Sequence, residues 1–140
     1  MYRGHHDYTS FLSVATGDLA TTFPTGSSAA ASSPIAVQGT ERLEADTGTV
    51  FDGGSAATSI DYQFQCSNDG GTTWFPVAGR FAEDGLPTES LEVLRVTGTV
   101  RRKLLCDAHA GSGNTRLVAK RTGTTSGTDA AVCSRLRVIL

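Results

Sequence analysis

Few residues in this 140-residue chain have the types and spacing that chemistry needs. His5, His6 and Asp7 form a short run able to ligate a metal, and Cys106-Asp107-Ala108-His109 has a Cys-x-x-His spacing that Zn²⁺ could share with Cys66 or Cys133. A structural zinc site needs four ligands and there is no second matching pair, so no metal is expected and His109 reads as an exposed loop residue. Nucleophilic catalysis requires a Ser, Thr or Cys beside a base that a third group orients. Three histidines, two of them at positions 5 and 6, and no G-x-S-x-G elbow leave that arrangement without material. Glu83, Asp84, Glu89 and Glu92 could hydrolyse glycosides only if two of them converged to about 5–9 Å. Nothing in their spacing imposes this, and the stretch reads as a solvated acidic loop. The G-x-x-x-x-G-K-S/T phosphate loop is absent. The expectation is a chain that is not an enzyme, with no catalytic residue, cofactor or metal.

The octapeptide Ser67-Asn68-Asp69-Gly70-Gly71-Thr72-Thr73-Trp74 matches the Asp-box pattern S-x-D-x-G-x-T-W, found in sialidase-type propellers and elsewhere. That resemblance implies a hairpin in which Asp69 caps the amides of the turn while Trp74 packs beneath. The physical chemistry agrees, because a carboxylate accepts backbone N–H bonds in a tight loop and Gly70 and Gly71 supply positive φ. A propeller needs several blades of roughly 40 residues, and no second copy exists here. Ser67, Asp69, Gly70, Gly71, Thr73 and Trp74 are therefore assigned to building the fold.

Around this hairpin the pattern is β. Ile60, Tyr62, Phe64 and Cys66 alternate with Asp61, Gln63 and Gln65, which predicts a half-buried strand with Cys66 facing inward. Trp74-Phe75-Pro76-Val77 follows the turn, and Pro76 places that strand at a sheet edge. Residues 116–120 and 132–140 predict a terminal hairpin across the Gly/Thr/Ser tract at 122–128. In strict alternation Cys133 shares a face with Arg135 and Arg137, and Ser134 interrupts the apolar row. Residues 35–37, 42–50, 91–96 and 100–106 supply further short strands. EDGLPTESLEVL at 83–94 has room for one helical turn, and no longer segment has helical periodicity. About eight strands and 19 threonines predict an all-β, antiparallel two-sheet β-sandwich of jelly-roll or immunoglobulin-like kind, with a barrel as the alternative.

Domain boundaries follow composition. PTGSSAAASSP at 24–34 offers nothing large to bury and is fenced by prolines, so residues 1–35 read as an extended N-terminal arm with a mobile or extended connector. Residues 36–140 are the sandwich domain. Net charge is −2, which points away from a nucleic-acid partner. No window approaches the ~18 apolar residues of a membrane span, and MYRGHHDYTS lacks the apolar run of a signal peptide. The charge is unevenly spread, with twelve Asp/Glu and four Lys/Arg in residues 1–100, and two Asp and eight Lys/Arg in residues 101–140. Either acidic and basic strands lie side by side in one sheet, or complementary patches meet between subunits.

Taken in order, AVQGTERLEADTGTVFDGG, SIDYQFQCSNDGGTTWFPVAG and the stretch from VRRKLLCDAHAG to CSRLRVIL resemble small virion proteins of tailed bacteriophages over residues 36–140. The resemblance is one of layout, with an S-x-DGG-x-TW hairpin at mid-chain and a closing terminal strand pair. It implies a capsid decoration or cement protein made in the host cytoplasm and resident in the virion. The implied partners are the major capsid protein and copies of itself, with no nucleic acid and no membrane. A head–tail or tail-fibre component is the neighbouring reading. A carbohydrate-binding sandwich that engages a host-surface glycan through Trp74, Phe75, Tyr62 or Phe81 is the third, set against the simpler expectation that these aromatics fill the core.

Overall fold

The computed structural model describes residues 6–8, 12–15, 19–28, 30–37, 42–51, 57–83, 89–106, 113–123 and 130–139. They form two antiparallel sheets built from β1 (His6–Tyr8), β2 (Leu12–Ala15), β3 (Ile35–Val37), β4 (Arg42–Val50), β5 (Ala57–Ser67), β6 (Phe75–Val77), β7 (Gly79–Phe81), β8 (Leu94–Val96), β9 (Val100–Cys106), β10 (Gly113–Gly123) and β11 (Ala130–Ile139). The first sheet runs β1-β11-β4-β9-β7, with β2 also on β11. The second runs β3-β10-β5-β6, with β8 also on β5. Among the described residues there is no helix, so the two-sheet sandwich expected from the alternation is what forms.

The pairing is nested. The arm strands β1 and β2 pair with β11, β3 with β10, β4 with β9, and β5 with β6 and β8. An antiparallel ribbon paired in this way can be rolled until β4 meets β11 and β5 meets β10, which closes the two sheets over one core. The rolling overturns the predicted terminal hairpin. β10 lies in the second sheet and β11 in the first, so the tract between them is a crossover and not a hairpin loop. The Ser67–Trp74 turn does join paired strands, and β6, with Pro76 opposite Gln65, is the edge strand that proline requires.

Apolar residues at every second position make the core. Leu43 and Ala45 of β4, Leu104 and Cys106 of β9, and Leu136 and Val138 of β11 face Ile60, Tyr62 and Phe64 of β5 and Leu117 and Ala119 of β10. Tyr62 is fully buried, and its hydroxyl meets Thr49 Oγ1 at 2.8 Å and the Gly48 carbonyl at 3.3 Å, a polar tie from one sheet to the other. A β-bulge at Ser134 shifts the register of β11: Cys133 pairs with Thr47, on the buried row of β4, whereas Arg135 and Arg137 pair with Asp46 and Glu44. Position 133 therefore sits on the opposite row from the arginines, contrary to strict alternation.

The N-terminal third is tied into the sandwich, and the boundary drawn at residue 35 falls at the first residue of β3. The 24–34 run, expected as a mobile or extended connector, is stitched along β10 and over it. Ser32 N donates to Leu117 O and Ala119 N to Ala30 O, and ahead of the run Ala20 O accepts from Arg121 N. Its small residues are what permit this close approach, since Ala30 and Ser32 are themselves buried.

Between β6 and β7 the chain passes from one sheet to the other across Ala78 alone. Gly79 makes the corner possible: a Cβ there would lie 2.7 Å from Phe64 Cδ2 and 3.0 Å from the Leu105 carbonyl oxygen. Phe64 is fully buried and has no room to retreat. Gly79→Ala is therefore expected to destabilise the protein by about 1–3 kcal/mol through overpacking. Urea unfolding with an unchanged midpoint would show that the corner tolerates a side chain.

Candidate functional site

Among the described residues, three places combine polar side chains with defined geometry: the Asp-box hairpin, the outer face of the second sheet, and a trough on the first sheet. In the hairpin, Asp69 Oδ1 accepts from Thr73 N at 2.8 Å, Thr72 N at 3.1 Å and Ser67 Oγ at 2.8 Å. Ser67 Oγ in turn accepts from Gly71 N, and Trp74 Nε1 donates to Gly71 O at 3.0 Å. Gly70 and Gly71 take φ of 75° and 95°, the left-handed region that side chains avoid. The structure thus brings together all six residues singled out in this motif. With every donor directed inward at the turn, the carboxylate is engaged in holding the loop. The Thr73 amide is the largest cause, followed by the Thr73 and Ser67 side chains, that holds the Asp69 carboxyl down at about 2 against an ordinary 3.8.

Behind the hairpin, the outer face of β5 is a surprise. The alternation predicted one wet face, yet residues 59–67 are all buried. Arg116, opposite Gln65 on β10, is 4% exposed and is the hub. Its guanidinium donates to Gln65 Oε1 at 2.8 and 3.0 Å and to the Gly26 carbonyl at 2.8 Å, and stacks 4.1 Å from the Trp74 ring centroid. Gln65 Nε2 reaches the Pro24 carbonyl at 2.9 Å and Gln63 Oε1 at 3.0 Å. The connector thus lies over this face as a strap whose backbone carbonyls satisfy buried donors. Further along, the fully buried Asp61 accepts from Ser59, Thr122 and a bidentate Arg95, with Lys120 Nζ at 3.9 Å. Asp61 raises the Arg95 pKa through its hydrogen bonds and charge, whereas burial lowers that of Arg116. Arg116 was missed in the sequence. The available signal was a lone cation within Thr115–Ala119, a run otherwise free of charge.

The third place is an open trough of about 840 Å³ across β4 and β9, lined by Asp46, Gly48, Val50, Glu83, Arg101 and Lys103 among others. The charges of this sheet are largely paired within it. Acidic β4 lies between basic β9 and β11, with Glu44 bound by Arg137 and by Lys103 at 3.6 Å, and Arg102 3.5 Å from Glu83. The first of the two readings of the uneven charge, side-by-side strands, accounts for these pairs.

The remaining candidates do not converge. Glu83 accepts from Lys103 N at 2.7 Å, Glu89 and Glu92 are exposed, and Asp84 lies outside the described residues. His5 and His109 also lie outside them, while His6 and Asp7 pair along β11 through their backbones. Among the described residues no three metal-ligating side chains cluster, and no helix is long and apolar enough to cross a membrane. Cys66 and Cys106 are buried, and burial pushes the Cys66 thiol up, away from the thiolate a nucleophile requires. Tyr62, Phe81 and Trp74 are buried, and Phe75 is the exposed one of the four candidate aromatics, at 58%. No protein-family model and no curated protein matches the chain.

Two outcomes follow. The folded state holds Asp69 ionised down to about 2, so its stabilisation is full above pH ~4 and is lost as pH falls through ~2. Asp69→Asn should lower stability at neutral pH and flatten the acid limb between those values; an acid limb identical to that of the parent would show the carboxylate is idle. Arg116→Ala, which leaves Gln65 Oε1 and the Gly26 carbonyl without their donor, should cost about 2–3 kcal/mol and open residues 22–28 to protease. An unchanged cleavage rate there would show that the strap is held by other contacts.

Proposed function

We propose that this chain is a non-enzymatic structural protein of a virus particle, a decoration or cement protein that stabilises the shell through contacts with the major capsid protein and with its own copies. The observation that carries the reading is the nested strand order, with the N-terminal arm seated on the edge of β11. That order is the one a jelly roll has, an architecture used by viral capsid domains and also by lectins and cupins. Fold alone assigns no function, so the weight falls on how the parts are used. The Asp-box, the motif closest to an enzyme, is engaged in its own turn, and the polar face behind it is closed by the strap. Among the described residues, strand edges, charged side chains and the apolar Val50 and Phe75 face outward. An arm that completes a sheet in one molecule makes the same hydrogen bonds on the edge of a neighbour, a low-cost route to assembly. Many weak contacts repeated over a shell then add by multivalency.

A head–tail or tail-fibre position differs from a shell position in copy number. A glycan-binding module is the other reading, and Phe75, exposed on the edge strand β6, is the residue that favours it. Quantitative mass spectrometry of purified particles separates these. Copies comparable in number to the main shell subunit are expected; a few copies per particle would place the chain at the portal or tail, and absence from particles would end the virion reading. A glycan array on the purified chain, with binding lost in Phe75→Ala, would support the module instead.

A further inference from the structure

After internal pairing, a remainder of unpaired charge of opposite sign stands on two separate parts of the surface. Among the described residues, the side chains of Glu89 and Glu92 are exposed acids with neither ion pair nor hydrogen bond, and that of Arg101 is an exposed base in the same state. Arg42, also exposed, stands apart at the far end of β4. The neighbours of Arg101 are taken, Lys103 by Glu44 and Arg102 by Glu83.

The surroundings of Arg101 are those of a receptor. It lies in the trough across β4 and β9, directly opposite Gly48, and nothing stands within 4 Å of where a Gly48 side chain would begin. Val50, 43% exposed, lines the same trough. The acids are placed otherwise. Glu89 and Glu92 flank Leu91, which exchanges two backbone hydrogen bonds with Gly79 at the sandwich corner. The other exposed large apolar side chain among the described residues, Phe75, belongs to β6, which leads into that corner. Each part thus carries one exposed apolar side chain and unpaired charge of one sign, since the Asp46 and Glu83 carboxylates that also line the trough have partners. They do not meet within a molecule: Gly79 pairs with Cys106, five residues along β9 from Arg101, or about 17 Å at strand spacing.

We infer that the two parts meet between copies, the acidic corner at Glu89 and Glu92 of one copy seating in the Arg101 trough of the next. The inference rests on the many-copy reading above for its biological setting. Because different surfaces meet, the contact is heterologous and generates a ring where the rotation closes. The charges at its rim steer association and make it sensitive to salt.

Sedimentation velocity on the full chain tests it. The parent should self-associate, more weakly in high salt. Arg101→Glu gives two acidic parts, and the paired change Glu89→Arg with Glu92→Arg gives two basic ones, so each variant alone should associate about ten-fold or more weakly. Mixing the two variants restores opposite signs and should restore association, which a folding defect in either would not allow. A parent that stays monomeric, variants that associate like the parent, or a mixture that fails to recover while both variants keep the parent's circular dichroism would each overturn the inference. Absence from particles with intact charge-dependent association would instead overturn the virion reading alone.

Discussion

Strand β5 has no solvent face along residues 59–67, and most of the structure is arranged to make that tolerable. Its inner row, Ile60, Tyr62 and Phe64, is apolar and enters the core directly. Its outer row, Asp61, Gln63 and Gln65, is polar, and burying it without partners would cost several kcal/mol in all. Ser59 and the Gln63–Gln65 pair supply some partners from within β5, and the rest are imported: Arg116 and Lys120 from β10, Arg95 from β8, and the strap carbonyl of Pro24, with the Gly26 carbonyl holding Arg116 in turn. The strap in turn is held by its bonds to β10, so the N-terminal third is required by the chemistry of a strand far along the chain.

The hairpin that follows β5 belongs to the same arrangement. Trp74 is fixed at one side by its own hydrogen bond to Gly71 and at the other by the Arg116 guanidinium, which lies against its ring. A motif that in a propeller would repeat from blade to blade occurs once here, and its aromatic serves to cover a buried cation. At the corner, Gly79 lies close to both the Phe64 ring of β5 and the Leu105 carbonyl of β9, joining the two sheets on the hairpin side. Tyr62 joins them in the middle through Thr49.

Electrostatics in this molecule is decided by strand order. Glu44 and Asp46 are consecutive outward residues of β4, and the nested ribbon places the basic strands β9 and β11 on either side of it. Cross-strand pairs of opposite charge each add only a fraction of a kcal/mol, yet among the described residues they engage Glu44, Asp61 and Glu83 with bases of the C-terminal portion, charge that sequence counts alone suggest is available for partners. The residual charge at Arg101, Glu89 and Glu92 is small, and it acquires meaning because it is left over.

Several features were determined by the sequence itself, because they depend on neighbours a few residues apart. Alternation at 60–66 specified a strand, the S-x-D-x-G-x-T-W spacing specified the turn with its carboxylate cap, and Pro76 specified an edge. Tertiary structure decided what local pattern cannot carry. Alternation specifies two faces of a strand but not what covers each, so Gln63 and Gln65 read as solvent-facing until the strap is in place. Proximity in sequence made β10 and β11 look like a hairpin, whereas sheet membership depends on which long-range edges the rolled ribbon brings together. A bulge at Ser134 moved Cys133 to the other row, since one extra residue reverses every position before it. The small-residue run at 24–34 was visible as unusual composition, but its role follows from the buried donors it meets, and those come from β5 and β10.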